Sequence, residues 1–470
     1  MKNRKDNEYK YPKSGTMWSR QKKITGAAVL ALLISMPLAG CGASASASTS
    51  GTTSGTTTYT SSSADDTSVS AADSTTTSTS SADTTTSTSS STDSTSTDST
   101  TATSSTSSDS TSSDDTSSLF SDRDLEQEAD LTDAQTITLQ DGEDVTISSA
   151  GVYVVSGSAT NCTIRVEAGD EDKVQIVLDG VSITNDSAPA IYVVSADKVF
   201  VTTTDSENTL SVTGTFTADG DTNTDAVIFS KDDLTLNGTG TLTIESTGNG
   251  ITSKDDLVIT GGTYNITSTE DAIEANDSIA ICDGTFNITT DKDGLHCENE
   301  DDNTLGSIYF SGGSFTIDAG DDGIQATTTL DIDGGTFDIS AVEGLEATYI
   351  TINDGTITIS ASDDGINATQ KSTSYDVVVE INGGDISITM GSGDTDAVDA
   401  NGSIYVNGGT IDITANSAFD YDSEGQLNGG TVTVNGSEVT ELTGGMTGGM
   451  AGGNMNGGGF SGGQGGRMMG

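Results

Sequence analysis

The chain has 470 residues, of which 71 are acidic and 17 basic, giving a formal net charge of -54; it carries 56 glycines and only 3 prolines. A surface of that sign repels nucleic acid and anionic membrane and attracts metal cations, so nucleic-acid binding is excluded as a function. The length leaves room for two or three ordinary domains, but the dominance of Gly, Thr, Ser, Ile and Asp describes fewer, built from strands and tight turns.

In chain order, the first element is a targeting segment. Lys2, Arg4, Lys5, Lys10, Lys13, Arg20, Lys22 and Lys23 precede an apolar run from Ile24 to Leu38. That run has the length of a signal-peptide core and is short for a membrane span. It closes on Leu38-Ala39-Gly40-Cys41, which resembles the bacterial lipobox. The resemblance implies that residues 1–40 are a signal peptide and that Cys41 is lipidated. The protein would then sit on the extracellular face of the cytoplasmic membrane, touching it through the anchor alone. An ordinary signal peptide followed by a Cys is the alternative. Residues 41–118, almost all Ser, Thr, Ala, Gly and Asp, cannot bury a core and are expected to form a disordered tether. Beyond the first apolar run the chain holds 69 acids and 9 bases. Three further cysteines, Cys162, Cys282 and Cys297, are an odd number, and no disulfide framework is expected.

From 119 to 440 a phrase recurs: acid, Gly or Ala, aliphatic, polar. It reads Glu270-Asp271-Ala272-Ile273-Glu274, Asp321-Asp322-Gly323-Ile324-Gln325 and Val342-Glu343-Gly344-Leu345-Glu346. It returns as Asp363-Asp364-Gly365-Ile366-Asn367 and Thr395-Asp396-Ala397-Val398-Asp399. The acid position falls at Asp225, Asn249, Asp271, Asp293, Asp322, Glu343, Asp364 and Asp396, ending at Ser417, and most steps are 21 or 22 residues. Period-two alternation around each phrase predicts three short strands per repeat, with glycine corners where φ is positive. The expected fold is all-β: a right-handed, three-stranded parallel β-helix. Its two long steps place insertions at 298–305 and 369–378. The irregular stretch 145–212 reads as an N-terminal cap, and Asn237, Asp333, Asn353, Asn382, Asn407 and Asn428 read as a structural ladder at the first corner. Residues 441–470, rich in Gly and Met, read as a disordered tail.

Neighbouring strands lie about 4.8 Å apart and oxygen ligands sit about 2.4 Å from calcium, so stacked carboxylates are spaced to share one ion. The phrase offers two acid columns, Asp271 with Glu274, Glu343 with Glu346, Asp364 with Asn367 and Asp396 with Asp399, alongside Asp293 and Asp322. Asp219, Asp221, Asn223 and Asp225 alternate like the start of an EF-hand loop, without its helices or its twelfth-position Glu, and form a second calcium candidate. The acids Glu298, Glu300, Asp301 and Asp302 form a third. A solvated acidic face without any ion is the competing reading. The small Gly or Ala in each phrase is read as opening the backbone to ligands, and His296, the only His, as a surface residue, with a ligand role as the alternative.

The phrases Ser230-Lys231-Asp232-Asp233-Leu234 and Ser253-Lys254-Asp255-Asp256-Leu257, the Asn-Gly-Gly-Thr corners at Asn407 and Asn428, and the Asp-Asp-Gly-Ile rungs together resemble the β-helical carbohydrate-binding proteins of clostridia. Over roughly residues 140 to 440 the resemblance implies a pectate-lyase-like fold, bound Ca2+, and non-catalytic binding of cellulose or polygalacturonate. An anionic glycan needs a bridging cation on so acidic a chain. Lys231, Lys254, Tyr309 and Tyr405 are the candidate sugar contacts, although Tyr309 and Tyr405 lie on well-separated turns. The function expected is therefore calcium-dependent binding of an acidic polysaccharide at the cell surface. The alternatives are a calcium-dependent lyase, with Lys231, Lys254 or Lys292 as base, and a structural wall adhesin.

Overall fold

The structure, a computed structural model, describes residues 119–393 and 395–444. The signal segment, Cys41, the tether and most of the Gly/Met tail lie outside them. Each repeat forms one rung of three short strands, as Thr329–Ile332, Thr336–Ala341 and Glu343–Ala347 do. Successive rungs pair in parallel and in register, so Leu330 lies beside Ile350, Phe337 beside Ile357, and Leu345 beside Ile366. The third strands stack into a sheet of twelve, and the first and second strands share a sheet of twenty-four. The fold is a parallel β-helix. Twelve strands at about 4.8 Å make a coil roughly 50 Å long.

Alternation drives the coil. In Thr336–Ala341, Phe337 and Ile339 are buried while Thr336, Asp338 and Ser340 are exposed. Each fully buried Ile or Phe stabilises the rung by about 1.5–3 kcal/mol. Tyr264, Phe286, Phe315 and Phe337 stack through four rungs, with centroids 5.2, 4.5 and 4.7 Å apart. The corner between first and second strands carries Gly262, Gly284, Gly335 and Gly355 at φ of 97, 128, 110 and 115°. L-residues avoid that region, which is why the corner is Gly.

Residues 145–212 are not a cap but the first rungs of the same coil. Lys173–Asn185 pairs in parallel with both Lys198–Thr203 and Glu207–Val212. It runs through the corner as one thirteen-residue strand, with Gly180 at φ 72° where later rungs turn. That long strand hides the repeat from a period count. The N-terminal stretch adds a strap across the first-strand face. Asp124, 1% exposed, takes the Thr235 hydroxyl at 2.6 Å and the Lys198 ammonium at 2.9 Å. Gln127 donates to the Thr260 carbonyl at 3.0 Å, Arg123 lies over Phe200 at 4.4 Å, and the Phe120 ring is 6.2 Å from Tyr309.

The first-corner ladder is continuous from Asp333. Asn353, Asn382, Asn407 and Asn428 each donate Nδ2 to the Oδ1 of the residue one rung before, at 2.7, 2.8, 2.8 and 2.9 Å. Asn237 stands apart and donates to the strap carbonyl of Glu126 at 2.9 Å.

Candidate metal and saccharide site

The two acid columns run down the third-strand sheet. In the first, one side-chain oxygen of Asn249, Asp271, Asp293 and Asp364 has a structural task. Asn249 Oδ1 accepts the Asp271 N–H at 3.0 Å, and Asp271 Oδ1 accepts that of Asp293 at 3.2 Å. Asp293 Oδ1 accepts the N–H of Asp322 at 2.9 Å, and Asp364 Oδ1 that of Asp396 at 3.1 Å. Asn249 does this as well as any acid. The coil therefore uses the oxygen acceptor and leaves the charge unexplained. In the second column Thr252, Glu274, His296, Gln325, Glu346, Asn367, Asp399 and Asp420 align rung by rung.

Three groups differ along these columns. At the N-terminal end His296 is held among acids, its Nδ1 3.0 Å from Asp271 and 3.7 Å from Asp293, its Nε2 3.4 Å from Glu298. Burial alone would lower its pKa, but the Asp271 hydrogen bond and the charges of Asp271, Asp293 and Glu274 raise it to about 9. His296 is thus an imidazolium in a nearly closed cluster, not the surface residue expected. Glu274 beside it is saturated by Lys254 Nζ at 2.9 Å, the Thr252 hydroxyl at 2.9 Å and Asn249 Nδ2 at 2.6 Å. The acidic insertion joins this group: Glu298, Glu300 and Asp301 line one cavity with Asp225, Asp271 and His296.

The middle group contains oxygen donors alone. One carboxylate oxygen each of Asp322, Glu343 and Glu346 lies within 4.8 Å of the others. Burial raises Asp322 well above the usual carboxylate range, helped by Asp293 and Glu346. Burial and the Glu346 and Asp364 charges carry Glu343 to about 7. Lys371, from the second insertion, reaches Glu346 at 2.5 Å, and Asn367 donates to Glu343 at 2.8 Å. At the C-terminal end Asp399 is raised to about 7, by burial and by Asp364, Asp396, Asp420 and Asp422. Burial raises Asp364 to about 6. The Asp396 Oδ1 and Asn367 Oδ1 atoms are buried without a hydrogen-bond partner.

Other expectations need correction. Asp225 is not in the first column: Ala226 pairs with Asn249, so Asp225 stands one residue earlier. The 219–225 loop does not form an oxygen cage. Asp219 is taken by Arg165 at 3.1 Å, Asp221 is exposed, and Asn223 donates its amide to Asp225. The small residue of each phrase faces inward rather than toward a ligand. A Cβ on Gly323 would meet Ile339 Cγ2 at 2.4 Å and the Gly344 carbonyl at 2.6 Å, and Ala272 is fully buried. Lys231 lies over the Tyr192 ring at 5.8 Å. Tyr309 donates to Asp333 at 2.8 Å, and Tyr405 donates to Glu424 at 3.4 Å. The sequence reading missed Asp233, Asp255 and Asp256, whose oxygens also converge. Burial, with Asp233 and Asp277 near, lifts Asp255 to about 6. Lys254 beside them reaches Glu274 on the next rung.

A β-helix with stacked polar columns is compatible with binding, lyase and scaffold roles alike. A family model of carbohydrate-binding domain-containing proteins matches residues 141–395 and 342–458. This chain belongs to that family. A carbohydrate-binding domain-containing protein of Acetivibrio thermocellus is 42% identical over 201 residues, covering 42% of this chain and 70% of that protein. Among solved structures, a polysaccharide lyase-like protein from C. thermocellum, studied as a gadolinium derivative, matches with a TM-score of 0.30 and 21% identity. That match covers 64% of this chain and 94% of that one. In this carbohydrate-binding domain the matched residues include all three acid groups of the columns.

Proposed function

We propose that this domain binds an acidic polysaccharide of the polygalacturonate type through calcium held on the acid columns, without cleaving it, at a cell surface to which Cys41 anchors it. The observation that carries the reading is the convergence of Asp322, Glu343 and Glu346 on adjacent rungs, with oxygen donors alone. The raised pKa values of Asp322 and Glu343 mark carboxylates short of positive charge. The unpartnered Asp396 and Asn367 oxygens extend the same chemistry toward the C-terminal end. These are hard oxygen ligands of the kind calcium takes, and Asp322, Glu343, Asp364, Asp396 and Asp399 would hold it. Bound calcium supplies the positive charge through which an acidic protein and an acidic glycan meet.

Non-catalytic binding is favoured because the candidate bases are engaged. Lys254 is paired with Glu274 at 2.9 Å, Lys292 is paired with Glu270, and Lys231 lies over Tyr192. The test is binding of the full chain to polygalacturonate with calcium and with chelator. Binding in calcium and its loss in chelator are expected, as is weaker calcium affinity in a Glu343→Gln, Asp322→Asn double variant. Full binding in chelator would sink the calcium bridge. Growth of unsaturated-uronide absorbance over time would decide for a lyase, and failure on every glycan of a panel for a wall scaffold.

A further inference from the structure

A second groove lies around the corner from the acid columns, against the second insertion. It encloses about 670 Å³ and is lined by Thr369, Asp376, Asn401, Tyr405, Asp422 and Ser423, among others. Its floor is a stack of corner residues: Thr369, Asn401 and Asp422 follow Ala368, Ala400 and Tyr421, which align rung by rung. The Thr369 hydroxyl donates to Asn401 at 2.9 Å, fixing that floor. One wall is the half-buried Tyr405, whose hydroxyl is held by Glu424. The other is the insertion, which carries Asp376 after Tyr375, itself 44% exposed. The insertion is braced at Ser372, which donates to Asn303 of the first insertion at 2.6 Å.

The lining combines an aromatic ring, hydroxyls, two amides and two carboxylates, with no basic side chain. An aromatic face accepts the apolar face of a sugar ring, and the hydroxyls and amides match sugar hydroxyls. The carboxylates exclude a uronate and favour a cationic group, which the ring also attracts. The one base of this insertion, Lys371, is spent on Glu346 across the corner. We infer that this groove is a saccharide site for an amino-sugar glycan with free ammonium groups, one sugar resting on Tyr405 and its ammonium between Asp376 and Asp422. The site needs no metal. It is separate from the calcium-bearing columns, and either can fail without the other.

The test is calorimetric titration of the full chain, in chelator, with a glucosamine hexamer and with its fully N-acetylated counterpart. The glucosamine hexamer is expected to bind, and the acetylated one to bind about ten-fold more weakly. Tyr405→Ala and Asp422→Asn should each lose about ten-fold, while Tyr405→Phe keeps the ring and the affinity. Calcium-dependent binding of polygalacturonate, measured on Tyr405→Ala, should not change. Absence of glucosamine-hexamer binding overturns the proposal, as does equal affinity for the acetylated hexamer. Binding that Tyr405→Ala and Asp422→Asn leave intact is diffuse attraction to the acidic surface, and it also overturns the proposal.

Discussion

His296 and Gly323 are single residues with reach beyond their own positions. His296 supplies the positive charge for Asp271, Asp293 and Glu298. Replacing it with Ala leaves those carboxylates facing one another, and a loss of about 3 kcal/mol in urea unfolding at neutral pH is expected. The loss should shrink in mild acid, where Asp293, raised to about 6 chiefly by burial, takes its own proton. A variant as stable as the parent at neutral pH would show that the cluster is indifferent to the imidazolium. The flanking acids Asp293 and Glu298 are visible in the sequence, but the nearest partner, Asp271, comes from the neighbouring rung, which the local sequence does not show. Gly323 was legible as a fixed small residue, but its cause was not. A Val there collides with Ile339 and the Gly344 carbonyl and should cost about 1–3 kcal/mol, read as a lowered Tm.

Elements of the coil were more legible than its sites. Inward aliphatic positions such as Ile324, Leu345 and Ile366 repeat every rung, and burial confirms each of them. The long strand Lys173–Asn185 was misread because no corner interrupts it. The asparagine ladder has a direction that explains its composition. Asp333 heads it and needs only to accept, so an acid serves there. Asn382 must both donate to Asn353 and accept from Asn407. Asn382→Asp keeps the acceptor and loses the donor, while Asp333→Asn keeps the Oδ1 acceptor that Asn353 uses. Chemical denaturation should show the first variant less stable by about 1 kcal/mol and the second nearly unchanged. Equal stability of the two would deny the ladder its direction. The acid columns were legible as columns. Their division into a histidine-clamped end, an oxygen-only middle and an open C-terminal end depends on Lys254, His296 and Lys371, which no rung pattern specifies.

At the scale of the whole molecule, the buried acids tie stability to pH and to cations. Asp293 and Asp364 are raised to about 6, and Glu343 and Asp399 to about 7. Each binds its proton more tightly folded than unfolded, so its contribution is present in acid and is lost as pH rises from about 4 through 6–7. His296, raised to about 9, stabilises the fold below its unfolded pKa of about 6.5, and that stability is lost as pH rises through 9. Both run the same way. In chelator the Tm should fall steadily between about pH 5 and pH 9. Calcium should raise the Tm more at the alkaline end, where protons no longer compete, by about 2.7 kcal/mol of stability at a hundredfold excess over Kd. A Tm in chelator that climbs with pH would contradict this. The strap adds a mechanical consequence. Phe120 meets the coil at the rung of Tyr309, and the strap crosses to Asp124 and Gln127 before the first paired strand begins at Gln135. Force applied ahead of residue 119 therefore arrives at the flank of the coil rather than at its end. It must shear the buried Asp124–Lys198 pair before it can peel a single rung, which makes the strap a strain relief for everything the coil holds.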